Sequence, residues 1–361
     1  MSIGNIINIA YLGNNNPFKF KRGVENVIDS QAKCIQTGLK YYIFFDDKKS
    51  VFRWNSFICI GIKNNFIKYI VLNCILFILK KRKNVIIHSH GPVKTTMLLY
   101  RTDILTIHDA IYYQRKGLKQ KYSFVFYIIE KIAYRKSRKL HFISQYAMNQ
   151  ALINKEQLNK SIIIYNTSPL EGYNEVSSSN QVLMKDDNYN LFAVRGIQSR
   201  TRIDLLVDFA DYVKDKPIDN KNIVIYIAGK GDLLDFYRNE IKKRSLTNIH
   251  LLGFVPDEDL INYYKKCDMV ILPCEHAEGF GLPIIEGYMY NKPVIGSNKC
   301  AVPEIIYSPI FLFENTPKGI FKTLNNIINH QNDYALFYEK KYSFKQYSIQ
   351  MNKLYDSIKL N

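Results

Sequence analysis

Residues 271–306 read ILPCEHAEGFGLPIIEGYMYNKPVIGSNKCAVPEII, and this stretch decides how the chain folds. A short apolar run ending at Pro273 has the length and β-branched content of a buried strand. It opens a loop containing Gly279-Phe280-Gly281, and the apolar run that follows begins a helix with Glu286 near its start. Glycines at a strand-to-helix turn let backbone N–H groups approach a phosphate, and the helix N-terminus adds a favourable field for its charge. A diphosphate fits such a turn. A carboxylate near a helix N-terminus also has a simpler reading, compensation of the helix dipole, and Glu286 taken alone carries both.

Working outward, the same alternation of apolar strand and helix recurs. Strands are expected at Asn190–Val194, Ile223–Ala228, Ile249–Leu252, Met269–Leu272 and Pro293–Gly296, with helices such as Leu205–Val213 and Leu233–Arg244 between them. Upstream, a polar stretch from Glu171 to Asn190, with a Ser-Ser-Ser-Asn run, reads as a linker. An earlier alternating series has strands at Ile6–Leu12, Tyr41–Phe45, Val85–His88, Ile104–Ile107, Leu140–Ile143 and Ile162–Tyr165. The expected architecture is α/β: two Rossmann-like doubly wound domains facing a central cleft, with ligands at the carboxyl ends of the strands. The domains are placed at residues 1–168 and 169–341. A last helix in 342–361 carries Phe344, Tyr347, Met351 and Tyr355 at helical spacing and is expected to cross back to the first domain.

Composition narrows the function classes. A chain of 361 residues that is 47% hydrophobic and 23% charged can bury two cores. Six cysteines at 34, 59, 74, 267, 274 and 300 form no CxxC and no His/Cys cluster, so neither a disulfide framework nor a zinc site is suggested, and a reducing cytosol fits. The opening MSIGNIINIAYLG reads as a buried strand rather than a signal peptide. The most apolar window, Phe66–Leu79, is short of a membrane span and reads as a helix packed on a sheet. Charge is uneven: residues 1–166 hold 27 Lys and Arg against 8 Asp and Glu, a balance of +19, while the remainder balances at −1. Such asymmetry points to an anionic surface as partner.

Glu278 and Glu286 stand seven residues apart around EGFGLP, and this resembles the E-x7-E signature of glycosyltransferase family 4. The resemblance extends through IYIAGKGDLLDFYRNEIKKRSLTNIHLLGFVPDEDLINYYKKCDMVILP and KPVIGSNKCAVPEII. It is weaker in FKRGVENVI, VIIHSHGP, LTIHDA, FISQYA and IIYNTSP, and spans about residue 20 to the end. It implies a GT-B fold, a retaining mechanism, a nucleoside-diphosphate sugar as co-substrate and no obligatory metal or other cofactor. By that resemblance Glu286 binds the donor ribose, Glu278 the transferred sugar, the amides of Gly279, Phe280 and Gly281 the diphosphate and sugar, and His108 faces the donor sugar. The GFV segment places Val255, and the turn at Gly229 lies beside the donor base.

The chain departs from the family in its phosphate cations. Where the family shows Gly-Arg and, five residues later, Lys, this chain has VRGIQSRTRIDLL. Arg195 and Arg200 keep the interval, and Arg202 is a third candidate. Arginine gives bidentate contacts to phosphate where lysine acts as a point charge. Glu278, His108 and Arg200 are therefore the candidate catalytic residues, and Glu286, Gly279, Phe280, Gly281, Arg195, Arg202, Gly229 and Val255 the candidate donor-binding residues. No metal ligand is assigned. Asp257-Glu258-Asp259 reads as helix N-capping rather than a metal site, and His88 and His90 as polar positions at the cleft.

The stretch Tyr112–Lys139, with nine Lys/Arg and one acid, interleaves aromatics with cations and suggests a helix lying in an anionic membrane interface, or else an amphipathic helix with its aromatics in the core. Transfer of a hexose to a saccharide acceptor, plausibly lipid-linked, at the cytoplasmic face of a membrane is the leading reading, without a nucleic-acid partner. A nucleotide-sugar epimerase, a basic nucleic-acid- or membrane-binding protein and an inactive paralogue are the alternatives.

Overall fold

A computed structural model describes residues 7–13, 15–18, 23–35, 38–117, 121–172 and 183–358. Half of the polar linker stretch, residues 173–182, and the start of FKRGVENVI lie outside them. The chain divides into two compact units, Met1–Pro169 with Phe344–Asn361, and Leu170–Ser343.

In the first unit the strands are β1 (Asn8–Leu12), β2 (Lys40–Asp46), β3 (Ser50–Trp54), β4 (Phe57–Lys63), β5 (Val85–Ser89), β6 (Thr102–Ile107), β7 (Ser137–Phe142) and β8 (Ser161–Ile163). They form one sheet in the order β3-β4-β2-β1-β5-β6-β7-β8. Its ladders among the described residues are parallel except β3 with β4, a hairpin that closes on Asn55 and Ser56 with Trp54 opposite Phe57. The sequence analysis expects no strand here. The turn is carried by Asn55 at φ 49°, a conformation asparagine tolerates better than most residues.

The C-terminal helix Phe344–Asp356 belongs to this unit. Tyr347, Met351, Leu354 and Tyr355 pack with Ile9, Tyr11, Ile28 and Phe57 in a single core cluster. A buried hydrogen-bond chain ties the helix down. Tyr11 and Tyr355 hydroxyls meet at 3.0 Å, Tyr355 reaches His88 Nδ1 at 2.9 Å, His88 Nε2 meets Thr106 Oγ1 at 2.7 Å, and Thr106 meets His141 Nδ1 at 2.9 Å. His141 Nε2 ends the chain on the Ile164 carbonyl at 3.1 Å. A carbonyl only accepts, so with neutral imidazoles every proton is assigned: His141 donates to Ile164, Thr106 to His141, His88 to Thr106, Tyr355 to His88 and Tyr11 to Tyr355. Burial, followed by the neighbouring imidazoles, holds His88 far below its ordinary pKa and keeps it neutral.

In the second unit the strands are β9 (Asn188–Val194), β10 (Asn222–Ala228), β11 (Ile249–Gly253), β12 (Met269–Leu272), β13 (Val294–Ser297) and β14 (Leu312–Phe313). The sheet is parallel in the order β11-β10-β9-β12-β13-β14. Numbered within the unit this is 3-2-1-4-5-6, the order of a dinucleotide-binding fold, and its direction reverses between β9 and β12. The carboxyl ends of those two strands are therefore where a ligand belongs.

Replacing Tyr355 by Phe strands the His88 Nδ1 acceptor and the Tyr11 donor inside the core. The Tyr355→Phe variant is expected to lose about 1–3 kcal/mol of stability in chemical denaturation. A loss within error of zero shows that the chain contributes nothing to holding the helix.

Candidate donor-nucleotide site

Arg195 follows β9 directly, and its backbone N–H extends the ladder to the Ala228 carbonyl at 2.9 Å. Its guanidinium is buried and donates through Nη1 to Glu278 Oε2 at 2.5 Å. Glu278 lies in the loop after β12, so this ion pair spans the two strands at which the sheet reverses. Arg195 Nε and Nη2 are buried without a hydrogen-bond partner in the structure. These two atoms form one edge of the guanidinium, the fork that meets two phosphate oxygens at once.

Three arginines were open as phosphate cations, and the structure separates them. Arg202 stands in the left-handed conformation at φ 55° and caps the helix Ile203–Val213. Its Nε bonds Asp204 at 3.0 and 3.1 Å and its Nη1 bonds Glu275 at 2.9 Å, so carboxylates already occupy it. Arg200 donates Nη1 to the Ala277 carbonyl at 2.9 Å and Nε to Gln198 at 3.3 Å, and its own carbonyl accepts from Glu275 N at 3.2 Å. It fastens the β9 loop to the β12 loop. Arg195 is the one of the three with an unused edge.

The glycine turn after β10 supports Arg195 from behind. Gly229 has φ 152°, and a Cβ there would lie 1.8 Å from the Arg195 carbonyl oxygen, so the two backbones pack at a distance that only glycine permits. Ile197 N bonds the Lys230 carbonyl at 3.0 Å across the same contact. Gly281, at φ 90°, caps the helix Leu282–Met289, and Gly279 and Phe280 precede it in the loop that carries Glu278.

Glu286 falls in the second turn of that helix, and the first turn holds no acid. The dipole-compensation reading is therefore corrected. The carboxyl is buried, accepts from the Tyr264 hydroxyl at 2.5 Å, and is pushed up to about 7, chiefly by burial. The Asp257–Asp259 acids occupy the first turn of the helix Asp257–Lys266, whose N-cap is Pro256. They lie within the helix, where acids favour its dipole, rather than at the cap. Val255 stands apart from the β9/β12 pair. It follows the edge strand β11 and lines a groove of about 750 Å3 with Arg238, Leu252, Phe254, Asp259 and Tyr263.

The sequence analysis does not single out the residues that brace the β12 loop. Glu275 accepts from Asn315 Nδ2 at 2.8 Å as well as from Arg202, and these bonds, the Asn315 one foremost, lower its pKa. Asn315 also donates to the Cys274 carbonyl at 2.9 Å, and Ser297 accepts from Cys274 N at 2.9 Å. Glu275 is legible as a third acid in the turn of Glu278. Asn315, Ser297 and Tyr264 carry no local signal.

His108 belongs to the first unit, at the end of β6. There it lines a cavity of about 140 Å3 with His90, Thr106, Asp109, Glu130 and Tyr134. His90 Nδ1 and His108 Nε2 meet at 3.0 Å, and burial pushes His108 down to about 3, so its imidazole is neutral. His88 was expected beside them at the cleft. It is fully buried, with both ring nitrogens engaged in the chain described above, and is a core residue. Among the described residues no group of three or more His, Cys, Asp or Glu is placed to hold a metal ion.

A six-stranded sheet of dinucleotide-binding order thus brings a glycine turn, a carboxylate and arginines together at its switch point. Residues 176–344 match the family model described as glycosyl transferases group 1. An uncharacterized glycosyltransferase of Methanocaldococcus jannaschii is 27% identical over 266 residues, 71% of this chain and 68% of that protein. The O-antigen chain mannosyltransferase C of Escherichia coli is 24% identical over 150 residues, 40% of this chain and 38% of that protein. Among solved structures, HepE of Anabaena in complex with UDP and glucose aligns over 98% of this chain and 100% of its own with TM-score 0.75 at 15% identity, a likeness of fold. Residues 176–344 thus match a group 1 glycosyl transferase region, and the chain has the two-domain GT-B fold of the glycosyltransferase structures it aligns with.

Removing Glu278 leaves the Arg195 charge buried and unpaired. Glu278→Ala is expected to destabilise the protein by about 3–5 kcal/mol, and Arg195→Met added to it to recover part of that loss, as measured by a double-mutant cycle. Additive losses would mean that the pair is not coupled. Glu286 gives a pH signature. Its folded-state pKa lies above 4.5, so the stability it contributes is present at low pH and is lost as pH rises towards about 7. Glu286→Gln does not titrate, so the stability difference, wild type minus variant, should shrink over that window. A difference independent of pH means that Glu286 ionises normally.

Proposed function

We propose that the chain transfers a hexose from a nucleoside-diphosphate sugar to a saccharide acceptor, with retention at the anomeric carbon and without an obligatory metal. The observation that carries this reading is the unused Nε–Nη2 edge of buried Arg195. Two buried donors without acceptors are costly unless a ligand completes them, and a diphosphate has the geometry to do so. Glu278 orients the guanidinium through Nη1 and, in this reading, contacts the transferred sugar. Arg200 holds the loop in place, the amides of Gly279, Phe280 and Gly281 serve the diphosphate with Arg195, and Glu286 exchanges its Tyr264 bond for a ribose diol. Neutral His108 is a hydrogen-bond partner for sugar hydroxyls and not an acid.

Breaking the bond from the anomeric carbon to the phosphate oxygen puts negative charge on the departing diphosphate, which preorganised cations and amides stabilise. The acceptor oxygen forms the new bond on the same face, and its proton passes to the departing phosphate oxygen. No protein nucleophile is required. The O-antigen chain mannosyltransferase relative favours a surface polysaccharide as product, and a lipid-linked acceptor is part of the same proposal.

Thermal shift with UDP-, GDP-, ADP- and dTDP-sugars tests donor binding. One donor at a hundredfold excess over its Kd should add about 2.7 kcal/mol to the wild type and much less to Arg195→Lys and Glu286→Ala. The anomeric configuration of the first-formed product, read by NMR, should match that of the donor. Equal shifts in the variants, or an inverted product, overturn the assignment.

A further inference from the structure

Two helices of the first unit turn their apolar sides to solvent. In Lys68–Lys83 the residues facing the sheet are Leu72, Asn73 and Leu76, and the opposite side presents Ile70, Cys74, Phe77 and Ile78 at positions i, i+4, i+7 and i+8. In Ser123–Lys136 the inward residues are Glu130, Ala133 and Tyr134, and the opposite side presents Phe124, Val125, Ile128 and Ile132. A surface helix of a soluble domain ordinarily shows the reverse. The sequence analysis treats Tyr112–Lys139 as one interfacial helix. It is two helices, Ile111–Gly117 and Ser123–Lys136, followed by β7, because Tyr122 at φ 61° breaks the run and Ser137–Lys139 enter the sheet. It also leaves Lys68–Lys83 as a helix packed on a sheet, without its outward side.

The segment Thr96–Tyr100 joins the two surfaces. Asn73 donates to the Met97 carbonyl at 3.1 Å and accepts from Leu99 N at 2.7 Å. Lys136 donates to the carbonyls of Thr96 and Leu98 at 2.9 and 2.6 Å, and Thr96 bonds the Ile129 carbonyl at 3.0 Å. With its backbone held from both sides, the segment projects Met97 and Leu99 outward, Leu99 at 82% exposure. Beside it a groove of about 570 Å3 is lined by Ile70, Cys74, Phe77, Ile78, Met97 and Leu99. Phe66, 95% exposed, stands at the head of the first helix.

Charge identifies the occupant. Between Asp47 and Asp103 the chain has no acidic residue and eleven Lys or Arg, and Lys80–Lys83 close the first helix. Lys131, Arg135 and Lys136 flank the second, whose one acid, Glu130, is buried. An aliphatic face with a cationic rim matches an anionic bilayer, acyl chains below and phosphates around. A two-fold dimer through this face would set one basic rim against the other. Nucleic acid would leave the Ile, Leu and Met side chains without a partner.

We propose that this face, made by Lys68–Lys83, Met97–Tyr100 and Ser123–Lys136, docks the protein on an anionic lipid surface, with the groove taking acyl-chain carbon. The inference rests on the reading above only in its purpose, delivery to a lipid-linked acceptor. Its test uses neither donor nor acceptor, so failure of one is distinguishable from failure of the other.

Cys74 is exposed on the proposed face, so an environment-sensitive fluorophore attached there, with Cys74→Ser as the blank, reports insertion. With vesicles of phosphatidylglycerol and phosphatidylcholine in equal parts, the emission should shift to the blue. Binding should weaken by about tenfold or more with phosphatidylcholine alone or at raised salt. Phe77→Asp with Leu99→Asp should lose binding while the far-UV circular dichroism and melting temperature of the wild type are retained. Binding without a change at Cys74, binding unaffected by the two aspartates, or no binding at low salt overturns the proposal. So does a blue-shifted label without lipid accompanied by a dimer in sedimentation velocity, which assigns the face to a second copy of the chain.

Discussion

The ion pair between Arg195 and Glu278 depends on a strand order in which the first and fourth strands of the second sheet lie side by side. Leu191 and Phe192 of β9 pair with Met269 and Val270 of β12, so both loops leave the sheet at the same edge. Their side chains can then meet although they are 83 residues apart. Several other residues of the candidate site brace one of these loops. The Gly229 turn backs Arg195, Arg200 ties the β9 loop to the β12 loop, and Ser297 on β13 and Asn315 just after β14 hold the β12 loop. The result is a guanidinium fixed by one carboxylate and left with two buried donors, a costly arrangement that a bound anion would complete.

The first unit solves a different problem with neutral groups. Four histidines at 88, 90, 108 and 141 lie in or beside its core, and burial holds all four below their ordinary pKa. Uncharged imidazoles can each donate and accept, so four of the strands and the last helix are joined by one directional chain that a charged imidazole would break. The same unit holds the chain's excess of positive charge, and two of its helices show apolar residues to solvent, a surface that water alone does not favour.

Much of this was legible in the sequence because it is local. Strand positions such as Ile223–Ala228 and Met269–Leu272 follow from short apolar runs, and the GFG turn with its flanking glutamates lies within nine residues. What was misread depended on partners elsewhere. The β3–β4 hairpin has partly exposed alternation and no run of buried residues. His88 looked available to a ligand because Tyr355, which claims it, comes 267 residues later.

Sequence by itself determined the element types, the glycine turns, the charge asymmetry and the signature glutamates, since each is a matter of spacing within one element or of composition. Tertiary structure decided which arginine keeps a free edge, because Glu275 reaches Arg202 across 73 residues and leaves Arg195 to Glu278. It also decided which side of Lys68–Lys83 meets water. Periodicity shows that a helix has two faces, and only the sheet packed against it determines which one is covered.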